Sequence, residues 1–445
     1  MKFIIPLSAP EASDANCVGP KAANLAALGR AGLPIPDGFC LSADAYRMQI
    51  AALGLEQAAR GVFSSDGPQA RRYALDIKLA FADKPITPAV VEPLLGSWRA
   101  LVEKTSCLTV VRSSALVEDR FGSSFAGQFE TFLGLQNEPD FLTAVRACWA
   151  ALWSTRALRY MATHDLDPAD TAMALLVQPL VSARAAGGGL SRTAEGSMLI
   201  NATWGLGSAI AQGEVTPDRY VLSREGAIQE VTAGPKYHAV TCEHRPSPIV
   251  PRRRAAMQRC LNDEQVLELG RLLTLTEQVS GIPVEIEWAL DDSGFKLLQS
   301  RPLHLQAEPL AEIDDIWLRQ PKLRGQPAGA GWGSGRAYVV NCECELSRVA
   351  PGGVLVTKMA GPALSQILPT VAAVVAELGG STSHLASLAR ERGIPMVLGV
   401  PDATGRIPDG ALVAVDGVSG IVRWMKSDRY AVGFHNGKII QTETT

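Results

Sequence analysis

Apolar residues in KAANLAALGRAGL, residues 21–33, recur at helical spacing, and Gly32 as a cap with Pro34, Pro36 and Gly38 beyond it ends the pattern. From residue 108 the period shortens. LTVVRSS predicts a strand, the polar and glycine-rich EDRFGSSFAGQ a hairpin tip, and ETFLGL a returning strand. FLTAVRACWAALWSTRALRYM, residues 141–161, predicts one long amphipathic helix, and ALLVQPLV, residues 174–181, a buried strand. VEIEWALDDSGFKLLQSRP, residues 284–302, predicts two antiparallel strands joined through Asp291-Asp292-Ser293-Gly294, with polar residues alternating along both. The stretch from 304 to 330 has no sustained periodicity and several Pro and Gly, which predicts an interdomain linker at 306–328. Beyond it, YVVN, GGVLVT, VAAVVAEL, PMVLGV and ALVAVD read as strands around a helix near 383–392 that Gly393 ends. The pattern therefore predicts a large body at 1–305, the linker, a compact α/β unit at 329–425 and a loosely held tail at 426–445. Stretched out, a linker of that length reaches on the order of 80 Å, against a radius of gyration of about 19 Å for the body before it.

The 445 residues exceed one ordinary core. A composition of 47% hydrophobic and 20% charged residues with a formal charge of -3 gives no field for nucleic acid or anionic membrane. The start, MKFIIPLSAPEASD, is too short in apolar residues for a secretory leader, and no window has transmembrane length, so a cytoplasmic protein is expected. The eight cysteines are scattered, and Cys342-Glu343-Cys344, with no second Cys or His pair nearby, reads as reduced thiols rather than a metal site.

The chemistry concentrates in GGSTSHLASL. Gly379-Gly380 follows a strand, Ser381, Thr382 and Ser383 supply capping hydroxyls, and His384 falls in the first turn of the helix. Unpaired N–H groups at such a terminus favour an anion, and neutral imidazole is a competent nucleophile toward phosphorus. These residues alone leave two readings open: a phosphohistidine, or a histidine satisfied at a helix cap.

GGSTSHLASLARERGIPMVLG resembles the signature of the swivelling phosphohistidine domain of the phosphoenolpyruvate synthase and pyruvate phosphate dikinase family, with Gly379, Gly380, Thr382, Ser383, His384, Ala389, Arg390, Gly393, Ile394, Pro395 and Gly399 in place. VGPKAANLAALGRAGLPIPDGF, VRSSALVEDRFGSSFAGQFETFLG, WGLGSAIAQGEVTPDRYVL and GIPVEIEWALDDSGFKLLQSRPL resemble, in the same order, successive parts of that family's ATP-grasp domain. The resemblance covers about 15–425. It implies an α/β and α+β multidomain fold, an N-terminal ATP-grasp domain of two subdomains followed by a small swivelling α/β domain.

The resemblance also implies roles. Lys21 and Arg112 would meet nucleotide phosphates, the latter through a guanidinium fork that lysine lacks. Gly127 and Thr131 would bracket the phosphate loop, Gln178 would lie at the adenine, and Arg301 would face the phosphates beside Glu287 and Gln299, the ligands of Mg²⁺. Thr382 is a possible regulatory position. An isolated lysine, a hairpin tip or a polar stripe on a sheet would each read as ordinary surface; the family order is what joins them. Two features depart from the family: Glu285 stands where an aspartate is common, so it is not taken as a ligand, and Pro20 stands in place of a second glycine.

The implied reaction is a dikinase step. ATP transfers its terminal pyrophosphoryl unit to His384 and releases AMP, water or phosphate takes the outer phosphoryl group, and the phosphohistidine passes the remaining one to a small-molecule acceptor. No G-x-x-x-x-G-K-[ST] loop or complete G-x-G-x-x-G offers a rival nucleotide site. With about twenty residues after the histidine domain, direct phosphoenolpyruvate synthesis through a pyruvate-binding barrel like that of full-length relatives is not expected of this polypeptide alone, and the linker has no room for the drug-binding domain of rifampicin phosphotransferases. The alternatives are a subunit of a split phosphoenolpyruvate-synthase-like or phenylphosphate-synthase-like enzyme, whose partner supplies the acceptor site, or a phosphocarrier without turnover.

Overall fold

The computed structural model describes residues 2–118, 129, 131–236, 239–240, 246–247, 257–304, 315–425, 431–435 and 438–442. Its contacts divide the chain into two units, Met1–Ala209 with Pro217–His304, and Ile210–Thr216 with Leu305–Thr445. Among the described residues no helix is long and apolar enough to cross a membrane.

Two antiparallel sheets form the first unit. One comprises β1 (Ile4–Pro6), β2 (Phe39–Leu41), β3 (Thr109–Ala115), β4 (Thr131–Leu135) and β5 (Met173–Pro179) in the order β1-β2-β5-β3-β4. The other comprises β6 (Ala185–Leu190), β7 (Met198–Trp204), β8 (Asp218–Leu222) and β9 (Ile228–Thr232), then, after a short ladder of β10 (Ala239–Val240) with β11 (Pro246–Ser247), β12 (Val284–Asp291) and β13 (Gly294–Pro302). Its order is β13-β12-β6-β7-β8-β9. The expected hairpins at 108–135 and 284–302 are thus both present. Between the sheets runs the helix Ala15–Arg30. Its Val18, Leu25 and Leu28 are buried in one cluster with Leu176 of β5, Ile286 and Trp288 of β12, Leu297 of β13 and Leu269 of the helix Asp263–Ser280. That continuous core brings β5 of one sheet and β13 of the other onto the same helix, which a site built from both sheets requires.

The single helix expected at 141–161 is two, Glu138–Ala151 and Thr155–Thr163. Ser154 caps the second, its side chain accepting from Ala157 N at 3.2 Å, and a capping hydroxyl outweighs continuous apolar spacing there. The buried Trp153 indole donates to Tyr46 Oη at 2.8 Å, which holds the break in place.

The second unit is built on an eight-stranded sheet of β14 (Lys322–Arg324), β15 (Gln326–Gly329), β16 (Trp332–Val340), β17 (Val354–Met359), β18 (Ala373–Leu378), β19 (Met396–Leu398), β20 (Leu412–Asp416) and β21 (Ile421–Met425), in the order β14-β21-β20-β16-β17-β18-β19-β15. β16 to β19 are parallel neighbours, and the outer pairings are antiparallel. The linker expected at 306–328 is corrected here: from Asp315 onward it holds a helical turn, Asp315–Leu318, and the two edge strands β14 and β15. The prolines and glycines of this stretch and its border misled for a physical reason. Pro327 sits on an edge strand beside a bulge, where a missing N–H is tolerated, and a Cβ at Gly329 would lie 2.2 Å from Ile394 O. Residues 305–314 lie outside the described residues. The tail expected to be loose contains a hairpin, β22 (Ala431–His435) with β23 (Lys438–Thr442).

One backbone feature of the first unit bears directly on the candidate site. Gly19 interrupts the helix Ala15–Arg30 at φ 78°, ψ 153°, and a Cβ there would stand 2.1 Å from Ser114 O of β3. Pro20 then restarts the helix at a position where its absent N–H costs nothing. Gly19→Ala is expected to destabilise the first unit by about 2 kcal/mol or more, read as a lowered denaturation midpoint, and to weaken any ligand binding that depends on Lys21.

Candidate functional site

The polar alternation along β12 and β13 becomes a register in the structure. Glu285 is paired with Arg301 and Glu287 with Gln299 across the hairpin, so the four side chains share one face. Arg112 reaches this face from β3 of the other sheet. Its Nη2 donates to Glu287 Oε2 at 2.9 Å and to Gln299 Oε1 at 2.7 Å, and its Nη1 donates to Leu298 O at 2.5 Å. A planar fork makes all three bonds at once; an ammonium, with one nitrogen, does not span them. The exposed Thr131 of β4 lies directly across from Arg112 in the ladder. Gln178 of β5 is paired with Val110, two pairs along from Arg112 and so on the same side of the sheet. Its amide donates to Pro36 O at 2.9 Å. Gly127 lies outside the described residues.

Lys21 follows from Gly19 and Pro20. Its Nζ donates to Ser113 O at 2.9 Å and to Glu118 Oε1 at 2.7 Å. Each cation of the cluster thus has one carboxylate: Lys21 with Glu118, Arg112 with Glu287, and Arg301 with Glu285 at 3.1 Å. The three pairs differ in accessibility. Side-chain exposure is 6% for Glu118 and 4% for Glu285 but 33% for Glu287. A buried carboxylate cannot leave its cation cheaply, so Glu287 is the one available to a further ligand. Glu285, which the sequence analysis left out of the ligand set, is paired with Arg301. Glu118 was missed by the sequence reading, which placed it in the hairpin tip. Its only sequence signal is a charge directly after Leu116-Val117 at the end of an apolar strand.

In the second unit His384 opens the helix His384–Arg392, directly after β18 and the loop Gly379–Ser383. Ser383 is the N-cap, its Oγ accepting from Ala386 N at 3.3 Å, and Gly393 ends the helix at φ 66°. The imidazole is half-buried, while Ser381, Thr382 and Ser383 are buried. Arg390, also buried, turns back from the last turn of the helix: its Nη1 donates to Ser381 O at 2.5 Å and to Ala328 O at 3.2 Å. The main chain leading to His384 is therefore clamped by the helix that follows it. Cys342 and Cys344 are exposed thiols, and among the described residues no group of three or more His, Cys, Asp and Glu stands ready to hold a metal.

Arg112→Lys is expected to lose the bonds to Glu287, Gln299 and Leu298 O together and to lower unfolding stability by about 2 kcal/mol, within the range for hydrogen bonds to a charged group. Chemical denaturation of the two proteins side by side measures it.

The model of the pyruvate phosphate dikinase AMP/ATP-binding domain matches residues 15–315, and that of the mobile domain of PEP-utilising enzymes matches residues 349–420. The probable phosphoenolpyruvate synthase of Methanothermobacter thermautotrophicus is 31% identical over 423 residues, covering 92% of this chain and 61% of that protein. The phosphoenolpyruvate synthase of Aeropyrum pernix is 33% identical over 458 residues, 91% of this chain and 56% of that one. For the Escherichia coli K12 phosphoenolpyruvate synthase the identity is 31% over 452 residues, 92% and 55%. The chain thus spans somewhat more than half the length of these relatives. With well over half of its residues matched by the AMP/ATP-binding domain and the mobile domain placed after it, the chain belongs to the pyruvate phosphate dikinase family of PEP-utilising enzymes.

Proposed function

We propose that this chain is an AMP-forming dikinase: ATP phosphorylates His384, and the phosphohistidine hands its phosphoryl group to a small-molecule acceptor. The observation that carries the proposal is the convergence of Arg112 from one sheet with Glu287 and Gln299 from the other, in a domain of the AMP/ATP-binding family. An imidazole nitrogen of His384 attacks the β-phosphorus of ATP, and the oxygen bridging the α- and β-phosphorus leaves with AMP. Water or phosphate then takes the outer phosphoryl group, and the N–P bond that remains on His384 breaks as the acceptor oxygen bonds to phosphorus. Lys21, Arg112 and Arg301 position the polyphosphate through their N–H donors, and positioning together with charge neutralisation is most of what such a transfer needs. Thr131, on the face of Arg112, and Gly127 belong to the stretch assigned to the phosphates, and Gln178 to the strand assigned to adenine.

The residues fit a Mg²⁺ ion. Glu287 and Gln299, whose oxygens also accept from Arg112, present two hard oxygens on one face and would hold the ion together with phosphate oxygens. Bound there, it would supply charge neutralisation to the polyphosphate. The side chains alone do not: three cations meet three carboxylates. Among the described residues these three pairs carry no net charge to set against the roughly four negative charges of a polyphosphate, and a divalent cation would add two positive ones.

A second reading makes this chain the ATP-binding and phosphohistidine subunit of a split enzyme whose acceptor site is on a separate polypeptide; label that stays on His384 until a second protein is added would favour it. Thr382, two residues before His384, is the position proposed for regulatory phosphorylation. Its side chain is buried, so a modifying enzyme needs the loop opened.

His384→Ala is expected to abolish acid-labile, base-stable labelling of the protein by ATP carrying label at the β-phosphorus, with ATP affinity changed by less than about twofold. Persistent labelling would remove His384 from the mechanism. Chelation of divalent cations is expected to weaken ATP binding by more than about tenfold while leaving adenosine binding unchanged, measured by calorimetry on the same preparation.

A further inference from the structure

We infer that Glu118 is a positioning residue for Lys21 and, through it, for the polyphosphate of the nucleotide; the inference rests on the ATP-dependent reading above. Glu118 closes a tight turn at the end of β3. Its N–H donates to Ala115 O at 3.0 Å, and its carboxylate accepts from Ala115 N at 3.2 Å and from Lys21 Nζ at 2.7 Å. Ser113 O accepts a second N–H of the ammonium at 2.9 Å. Two of the three ammonium donors are therefore held by one strand end, and the direction of the third is set by them. A side chain with four rotatable carbons becomes a fixed donor.

Two other roles compete with this one. Glu118 could be a stand-in anion that the polyphosphate displaces, or it could serve the fold alone. Displacement is disfavoured by burial, since both side chains are under a tenth exposed. Removing the partner of a buried charge costs more than a hydrogen bond to a charged group returns. The polyphosphate therefore adds to the Lys21–Glu118 pair rather than replacing Glu118, in contrast to the more exposed Glu287. A role in the fold alone does not predict that the effect acts through Lys21, and that difference is measurable.

Glu118→Gln keeps an oxygen acceptor and the volume while removing the charge. The test compares binding of ATP, inorganic tripolyphosphate and adenosine to the full chain, Glu118→Gln, Lys21→Met and the double variant, with a thermal melt of each. The expected result for Glu118→Gln is a loss of about tenfold or more for ATP and tripolyphosphate, with adenosine within about twofold of the parent. The double variant is expected to bind ATP no more weakly than Lys21→Met, because the carboxylate acts through the ammonium. Equal losses for ATP and adenosine, tighter ATP binding in Glu118→Gln, or additive losses in the double variant would each overturn the inference. If Glu118→Gln does not fold, Glu118→Asp keeps the charge and shifts Lys21 by one methylene; ATP binding should fall there with adenosine unchanged, and an unchanged ATP affinity counts against the inference. A parent chain that binds ATP and labels His384 while Glu118→Gln matches it overturns this inference alone. A parent that binds neither ATP nor tripolyphosphate overturns the ATP-dependent reading with it.

Discussion

The juxtaposition of the two sheets of the first unit at the candidate site depends on Arg112 making three hydrogen bonds to the hairpin of the opposite sheet. Strand registers place residues within a sheet; nothing in either ladder places β3 against β13. The apolar core around the helix Ala15–Arg30 brings the sheets close, but apolar packing is non-directional and does not choose an angle. The guanidinium does, because its bonds to Glu287, Gln299 and Leu298 O can be satisfied together in only a narrow range of geometry.

Charge pairing is the second constraint. Lys21, Arg112 and Arg301 would repel one another if they shared a low-dielectric face without counter-ions. The chain supplies one carboxylate for each. The graded exposure of these carboxylates then separates their roles. Two are buried with their cations, and the third is about a third exposed. Under the proposed function, that third carboxylate is the one that would meet a cation.

Much of this organisation was legible in the sequence. The hairpin at 284–302 could be read from alternation and its turn residues, and the register then put Glu287 opposite Gln299. His384 could be placed in the first turn of a helix from Ser383 and Gly393. What remained hidden was non-local. That Arg112 would bond to residues more than 170 positions away, or that Glu118 would turn back onto Lys21, leaves no periodic trace. The linker was misread because Pro and Gly have two meanings: they mark chain that is free of structure, and they also permit backbone to run close to backbone, as at Gly329. The break at Ser154 was missed because apolar spacing continues through it and the cap is one hydroxyl.

The clamp formed by Arg390 also bears on how the imidazole is held. The loop before His384 is tied to the end of its own helix and to Ala328 of an edge strand, so the side chain is backed by main chain braced at two points. Any group bonded to that imidazole would be aimed by the sheet behind it rather than by a soft tether.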